Sequence, residues 1–527
     1  RNYVHFNKNM IIFVTEMKSF LLSILSGFLL AISWPNIGGI SYIIFVAFVP
    51  LFYLLSKETS KNNFSRVKLF SHLFLSFFIF NFLTTYWIYH ATLFGAVCAF
   101  VINSLLMTLA FYISLSLQCF RENSFRSLIF ISCWISMEYL HLNWDLSWPW
   151  LTLGNVFANT TYFVQWYEFT GVLGGTVFIL IINILLFKLL FFKKLKYFLL
   201  LFLSIFLVCI ANLFTKESSE YNNVEIVVVQ PNIDPYNEKF SSDPISQIKS
   251  FIELARKNLT KKTKFLVGPE TAIQESLWEN KIHENKSINL LKELQEDFPE
   301  LNILIGATTY KYYNNKQTVT ARKFSNSKNY YDAYNSAIFL SSNKKTLVYH
   351  KTKLVPGVEK IPFPTLLNNF ENLSVDLGGI RGSLASDNDI SYFQISNDKI
   401  LPLICYESIY GQIISQKNPD FLCVITNDGW WKNTAGYKQH FQYSRLRAIE
   451  HRKYVIRSAN TGISGLIDHR GKVICQTNWD EKTVFTSNIN YEKVRTFYNL
   501  YGDYIGRISI FIFIIFLIIN IVKSRIN

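Results

Sequence analysis

Three apolar runs in this sequence end on residues that can do chemistry. "KILPLICYESIYG" (399–411) carries Ile400, Leu401, Leu403 and Ile404 into Cys405, followed directly by Tyr406, Glu407 and Ser408. "FLVGPETA" (265–272) leads through Gly268-Pro269 to Glu270, and "LVYHKTKLVPGVEKIPF" (347–363) passes Lys351 and then Glu359. A thiolate is a strong nucleophile, but a free cysteine with a pKa of ~8.5 is mostly protonated at neutral pH. A neighbouring carboxylate can take that proton as general base. An ammonium can stabilise the oxyanion that forms when a carbonyl is attacked. If Ser408 opens a helix, its first amides add positive potential near the sulfur. Glu407 would then sit at the helix start, or turn inward as a second acid.

Each residue alone has a plainer reading. A cysteine after an apolar strand is ordinarily packing, and Cys423 and Cys475, set among Leu, Val and Ile, are read that way. A lone Glu or Lys at a strand end is ordinarily solvated, and Lys353 competes with Lys351 for the cationic role. The seven cysteines are odd in number and show no CxxC spacing, and no HExxH occurs, so neither a disulfide framework nor a metal site is expected. Cys98, Cys119, Cys133 and Cys209 lie in apolar runs as small hydrophobes.

The elements that would hold the three residues are short β-branched runs between 223 and 490. They are 224–230, 264–268, 302–308, 336–342, 346–351, 400–406, 421–427, 454–459 and 472–477. Helical patterns at 246–261, 286–297 and 440–452 alternate with them. About 270 residues of this kind suit one α/β domain whose sheets are covered by helices. Reactive groups in such sheets gather beyond the strand carboxyl ends, where Glu270, Lys351 and Cys405 would meet.

The rest of the 527 residues is different. The chain is 50% hydrophobic, with 47 Phe and 29 Tyr against 17% charged residues. A spanning helix needs roughly 20 apolar residues, and about eight stretches qualify: 18–34, 40–55, 69–89, 91–117, 127–142, 169–192, 196–214 and 505–522. The first is read as a retained helix rather than a cleaved signal. Lys and Arg collect in alternate loops, at Lys57, Lys61, Arg66 and Lys68, at Arg121 and Arg126, and at Lys193, Lys194 and Lys196. Lys523 and Arg525 follow the last span, while "NIGG", "HATLFG" and "HLNWDLSWPW" hold neither residue. The positive-inside rule then puts both termini in the cytoplasm and 216–500 outside. Glu138 and Lys188 are the charges within spans, and Trp144, Trp148, Trp150 and Trp166 fit an interfacial belt. The net charge of +15 comes without a basic patch or reader motif, so nucleic acid is not an expected partner. The expected domains are therefore 1–220, helical and membrane-spanning, 221–495, catalytic, and 496–527, a last span and tail.

"GPETA", "YHKTKLVPGVE" and "CYES", in this order and at these separations, resemble the Glu-Lys-Cys motifs of the nitrilase superfamily. With flanking spans, the chain is similar to that superfamily's membrane-anchored branch, the bacterial apolipoprotein N-acyltransferases. "VQPNI" (229–233), "YNSA" (334–337), "TNDGWW" (426–431) and "QHFQYSRLRAIEHRKYVIRSANTG" (439–462) match as well, as do "WPWLTLGN" and "GVLGG" (171–175). The chain departs from the pattern at "LVPGV", where "LVPFG" is commoner, and in having Phe240 as the nearest aromatic after "VQPNI".

The resemblance implies an αββα sandwich with Glu270 as general base, Lys351 as oxyanion stabiliser and Cys405 as nucleophile. Lys351, not Lys353, keeps the eight-residue spacing to Glu359, a further acidic residue of that family; Asn335, Tyr406 and Glu407 match supporting positions. It also implies ping-pong transfer of a fatty acyl chain from a phospholipid, through a thioester, to the amine of a diacylglyceryl-cysteine apolipoprotein at the inner membrane, with no cofactor. Aromatic-rich loops 357–370 and 428–437 are candidates for lipid contact. A membrane-tethered amidase and a non-catalytic scaffold are the alternatives the sequence leaves open.

Overall fold

The computed structural model describes residues 2–58, 65–116, 124–213, 222–342, 344–363, 383–395, 398–415, 417–491 and 493–526. They form two compact units, one of Arg1–Tyr86, Ala96–Thr215 and Asp503–Asn527, the other of Trp87–Gly95 and Lys216–Gly502.

The first unit is helical: α1 (Asn2–Ser33), α2 (Val49–Glu58), α3 (Arg66–Thr85), α4 (Leu93–Ser116), α5 (Ser124–His141), α6 (Tyr167–Phe192) and α7 (Leu195–Leu213). Six stretches among the described residues are long and apolar enough to cross a bilayer: Ser41–Glu58, Arg66–His90, Leu93–Ile113, Tyr167–Phe192, Leu195–Leu213 and Tyr504–Lys523. The other two expected spans, 18–34 and 127–142, are helical too, within α1 and α5. The first is shorter, Met17–Ser33, and α5 is diluted by Arg126, Glu138 and His141. Lys61 and Arg121 of the charge pattern lie outside the described residues. Close packing explains two glycines of the matching motifs. A Cβ on Gly154 would collide with the carbonyl of Val172, and one on Gly175 with the Tyr167 hydroxyl.

The second unit holds two sheets. The strands run β1 (Asn222–Gln230), β2 (Thr263–Val267), β3 (Ile273–Trp278), β4 (Asn302–Tyr313), β5 (Arg322–Lys323), β6 (Tyr330–Ser341) and β7 (Leu347–His350). They continue as β8 (Phe393–Ile395), β9 (Asp398–Ile404), β10 (Phe421–Thr426), β11 (Tyr454–Ala459), β12 (Gly465–Ile467), β13 (Val473–Gln476) and β14 (Thr483–Tyr491). The first sheet has the order β14-β1-β2-β4-β6-β5, with β3 against β4 and β7 against β6; the second has the order β13-β12-β11-β10-β9-β8. Period-2 alternation decides which core each residue enters. Ile226, Val228, Phe265, Val267 and Phe339 meet Phe393, Ile400, Phe421 and Cys423 between the sheets, with Phe265 against Phe421 at 5.3 Å and Phe339 against Phe393 at 4.9 Å. Val227, Val229, Leu266 and Ile338 face the other way, onto α8 (Pro244–Arg256) and α9 (Lys286–Asp297). Helix α10 (Ala435–His451) covers the second sheet through Phe441 and Ala448. The expected αββα layering is therefore present.

All nine expected strands and three expected helices are found, with shifted ends. The strands not anticipated, β3, β5, β8, β12 and β14, are short or half-exposed. The stretch after Cys405 differs from expectation: no α-helix opens at Ser408. Two 3₁₀ turns, Cys405–Ile409 and Gly411–Ile414, occur instead, and the helix-dipole argument loses its basis.

Candidate active site

Glu270 lies on the turn that leaves β2. The carbonyl of Pro269 accepts from the Gly306 amide at 2.9 Å, and the Gly306 carbonyl accepts from the Ala272 amide at 2.8 Å. Any Cβ at 306 would sit 2.5–2.7 Å from the backbone of this turn, so β4 needs glycine there. Lys351 directly follows β7, where its amide donates to the Asn335 carbonyl on β6 at 2.8 Å. Cys405 directly follows β9 with φ +49°, a left-handed conformation costly for a side-chain-bearing residue. Thr271, next to Glu270, has φ +46°.

These three strand ends meet around one cavity of about 140 Å³, lined by Glu270, Lys351, Cys405, Asn335 and Glu359. Its wall also includes Ala91, Phe240, Asn427, Trp430 and Trp431. The charged groups form a connected set. The Lys351 ammonium donates to Glu359 Oε1 at 2.8 Å and lies 3.5 Å from Glu270 Oε1. The Asn335 amide donates to both carboxylates, at 2.7 and 3.0 Å. The Asn427 backbone amide donates to Glu270 Oε2 at 3.0 Å, and the Val355 amide to Glu359 Oε2 at 2.8 Å.

The electrostatics follow. Burial alone would lower the Lys351 pKa, but Glu359 and Glu270 outweigh it and hold the group above the ordinary lysine range. Burial and the Glu270 charge push the Cys405 thiol up, against the pull of Lys351. The resting sulfur therefore keeps its proton and needs a base at the moment of attack. Lys351 sits closer to Glu359, at 2.8 Å, than to Glu270, at 3.5 Å.

The supporting residues separate. Asn335 and Glu359 line the cavity, whereas Tyr406 and Glu407 are absent from its described lining. Tyr406 packs edge-on against Tyr410 at 5.3 Å. Glu407 is buried and does sit at the turn's start rather than inward. Its carboxylate accepts from the Ile404 amide, the Thr352 amide and the Tyr349 hydroxyl, each at 2.7 Å, and from the Thr352 hydroxyl at 2.8 Å. Burial raises its pKa against those bonds. Its effect is mechanical: it ties the cysteine's turn on one sheet to the lysine's loop on the other. Lys353 points elsewhere, its ammonium 5.3 Å from the Tyr410 ring centroid. Of the loop candidates, Trp431 packs at a tilt against Trp87 at 4.7 Å and Trp430 edge-on against Tyr236 at 5.4 Å, while 364–370 lie outside the described residues.

Residues 226–499 match the carbon-nitrogen hydrolase family, and residues 26–185 match the apolipoprotein N-acyltransferase N-terminal domain. The chain belongs to the carbon-nitrogen hydrolase family. Among curated relatives named apolipoprotein N-acyltransferase, that of Chlorobaculum tepidum is 28% identical, covering 96% of this chain and 97% of its own. The Thermotoga maritima relative is 27% identical over 97% and 95%, and the Rickettsia typhi relative 27% over 89% and 90%. This hydrolase-family chain thus carries both halves of those relatives.

Sequence reading missed three parts of the site. Lys239 is buried, its ammonium 2.5 Å from Thr271 Oγ1 and 3.4 Å from the Glu270 carbonyl. Burial pushes its pKa down to about 8, with Glu270 pulling it back up. Behind Cys405, His440 on α10 lies 3.1 Å from the cysteine carbonyl and 2.9 Å from Asp428, which pairs with Arg457 at 2.6 Å. Cys405, Asp428 and His440 bring possible metal-ligand atoms within 4.8 Å of one another. The Arg457 guanidinium already occupies Asp428, so an ion-pair network fits this cluster better than a cation. The third part is Trp87–Gly95, read from sequence as span and plain loop. Its Trp87 indole donates to Gln439 at 3.2 Å, and Ala91 reaches the cavity wall.

Proposed function

We propose that this protein is an acyltransferase that moves a fatty acyl chain from a phospholipid to the N-terminal amine of diacylglyceryl-cysteine in apolipoproteins. The relatives' name and their near full-length match support lipoprotein N-acylation; the residue roles and the phospholipid donor are our own assignment. One observation carries those roles. A buried lysine held between two carboxylates shares a cavity with a buried thiol at a strained turn. Glu270 takes the Cys405 proton, the sulfur attacks the ester carbonyl, and Lys351 faces the developing oxyanion. The tetrahedral adduct collapses, the ester C–O bond breaks, and the leaving alkoxide takes the proton from Glu270 as lysophospholipid. The lipoprotein amine then attacks the thioester, gives its proton to Glu270, and the C–S bond breaks as sulfur is reprotonated. Glu359 balances Lys351, so that Glu270 can act as base.

The same reading has eight spans, both termini in the cytoplasm and a periplasmic catalytic unit at the inner membrane, divided as 1–220, 221–495 and 496–527. Tethering suits the chemistry, because both substrates are membrane-anchored. Mass spectrometry after mixing the purified protein with phospholipid tests it. An acyl mass on the Cys405 peptide, discharged by a diacylglyceryl-cysteine peptide, is expected. Free fatty acid as the sole product would make the protein a hydrolase, and acyl mass on another residue would remove Cys405 from its role.

A further inference from the structure

A buried polar group without a partner is costly, so one on the wall of a reactive cavity marks where a ligand atom belongs. Among the described residues lining the cavity, two buried side-chain atoms have no hydrogen-bond partner: Asn335 Oδ1 and Asn427 Nδ2. Asn427 Nδ2 is the donor of the two. Asn427 is only 3% exposed, and its orientation is determined by a neighbour. Asn460 Nδ2 donates to the Ile233 carbonyl at 2.7 Å and to Asn427 Oδ1 at 3.1 Å. The carbonyl of Ile233 can only accept, so the Asn460 atom is nitrogen and the Asn427 atom facing it is oxygen. The free atom is therefore the NH₂ group.

Its position follows from the sheet. Strands β9 and β10 are parallel, with Ile404 opposite Ile425. One step further sets Cys405 beside Thr426, and the next residue is Asn427. The Asn427 backbone amide is held on Glu270 at 3.0 Å. The residue is thereby pinned to the general base, and its side chain lines the same cavity as the sulfur. Two other side-chain donors at this wall are engaged, Lys351 by two carboxylates and Asn335 Nδ2 by the same pair.

We propose that the Asn427 side-chain amide is a catalytic hydrogen-bond donor to the acyl oxygen, completing with Lys351 the site for the oxyanion. The assignment rests on the acyl-transfer reading above. The oxygen becomes anionic when sulfur adds to the ester, and again when the amine adds to the thioester. In each case the C=O π pair moves onto oxygen and returns as C–O or C–S breaks. A neutral donor stabilises both adducts without drawing on the charge of Glu270.

The test is single-turnover acylation of Cys405 in the detergent-solubilised full chain with a phospholipid donor, followed by mass. Asn427→Ala should slow acylation about 10²–10³-fold with the half-saturating donor concentration unchanged, and should slow transfer to a diacylglyceryl-cysteine peptide similarly. Asn460→Ala removes the partner of Asn427 Oδ1 together with the bond to the Ile233 carbonyl, leaves the Asn427 NH₂ in place, and should stay within about tenfold of wild type. Should Asn427→Ala fail to fold, Asn427→Asp keeps the shape and the Asn460 bond while replacing the NH₂, and should be as slow. Near-wild-type rates in either Asn427 variant, an equal loss in Asn460→Ala, or an effect confined to half-saturation would overturn the assignment. Absence of acyl mass in the wild type itself would overturn the acyl-transfer reading and this inference together.

Discussion

Two buried carboxylates, one in each unit, receive similar bonding and differ in what surrounds them. Glu138 on α5 accepts from the Trp134 indole at 3.0 Å, the Leu153 amide at 2.9 Å and the Thr176 hydroxyl at 2.8 Å. These bonds join α5, the "WPWLTLGN" segment and α6. Glu270 accepts from one side-chain amide and one backbone amide, with Lys351 at 3.5 Å, and it faces a cavity shared with a thiol. Every bond to Glu138 comes from a neutral donor fixed by packing, so the group acts as a knot between helices. Glu270 lines the same cavity as Cys405 and lies near a cation that Glu359 also contacts. Burial and hydrogen-bond count alone do not distinguish the proposed base from a knot.

The comparison breaks most readily on activity. Glu270→Gln should lower acyl transfer about 10²–10⁴-fold with little change in melting temperature, while Glu138→Gln should leave the rate of the folded protein intact. Equal losses of activity in the two would erase the distinction. Gly306→Ala sharpens it, because the new Cβ pushes on the backbone that aims Glu270. Activity should fall at least tenfold, roughly the 10²-fold cost of a 1 Å misplacement or somewhat less, in a chain that still folds. The tie between the sheets can be loosened separately. Tyr349→Phe removes one of the four donors to Glu407 and should cost about 1–3 kcal/mol, read as a lower melting temperature. The rate per folded molecule should hold.

The last expected effect concerns pH and leaves the chemistry untouched. Lys239 has its pKa lowered from 10.5 to about 8, by burial first. Between those values the unfolded chain binds more protons than the folded one, so stability rises with pH there and levels off above 10.5. Melting curves of wild type and Lys239→Met, compared from pH 7 to 11, should differ in slope within that window and run parallel beyond it. Parallel curves throughout would mean that Lys239 titrates as an ordinary lysine.

Much of the fold was legible because the relevant signals are local. β-branched runs of five to seven residues gave the central strands, and the polar helical stretches between them gave α8 and α9. The β14 strand "TVFTSNINY" escaped because its half-exposed face reads as polar, although it pairs with β1 from Tyr491 to Thr483. The sequence after Cys405 left open a helix beginning at Ser408. In the fold, the Ser408 hydroxyl bonds the Cys405 carbonyl at 2.7 Å and Glu407 holds the Ile404 amide, which tightens the chain into 3₁₀ geometry.

Sequence alone determined the identities that matter: which strands end on Glu270, Lys351 and Cys405, and that apolar spans flank them. Those features live in residue type and spacing, which short-range propensity and hydropathy read directly. Only the tertiary structure decided that Glu359 pairs with the lysine, that Glu407 braces the turn, and that Lys239, Asn427 and Trp87–Gly95 belong to the site. Each of these depends on the closeness of segments far apart in the chain. Such closeness is set by how two sheets stack on a shared apolar core.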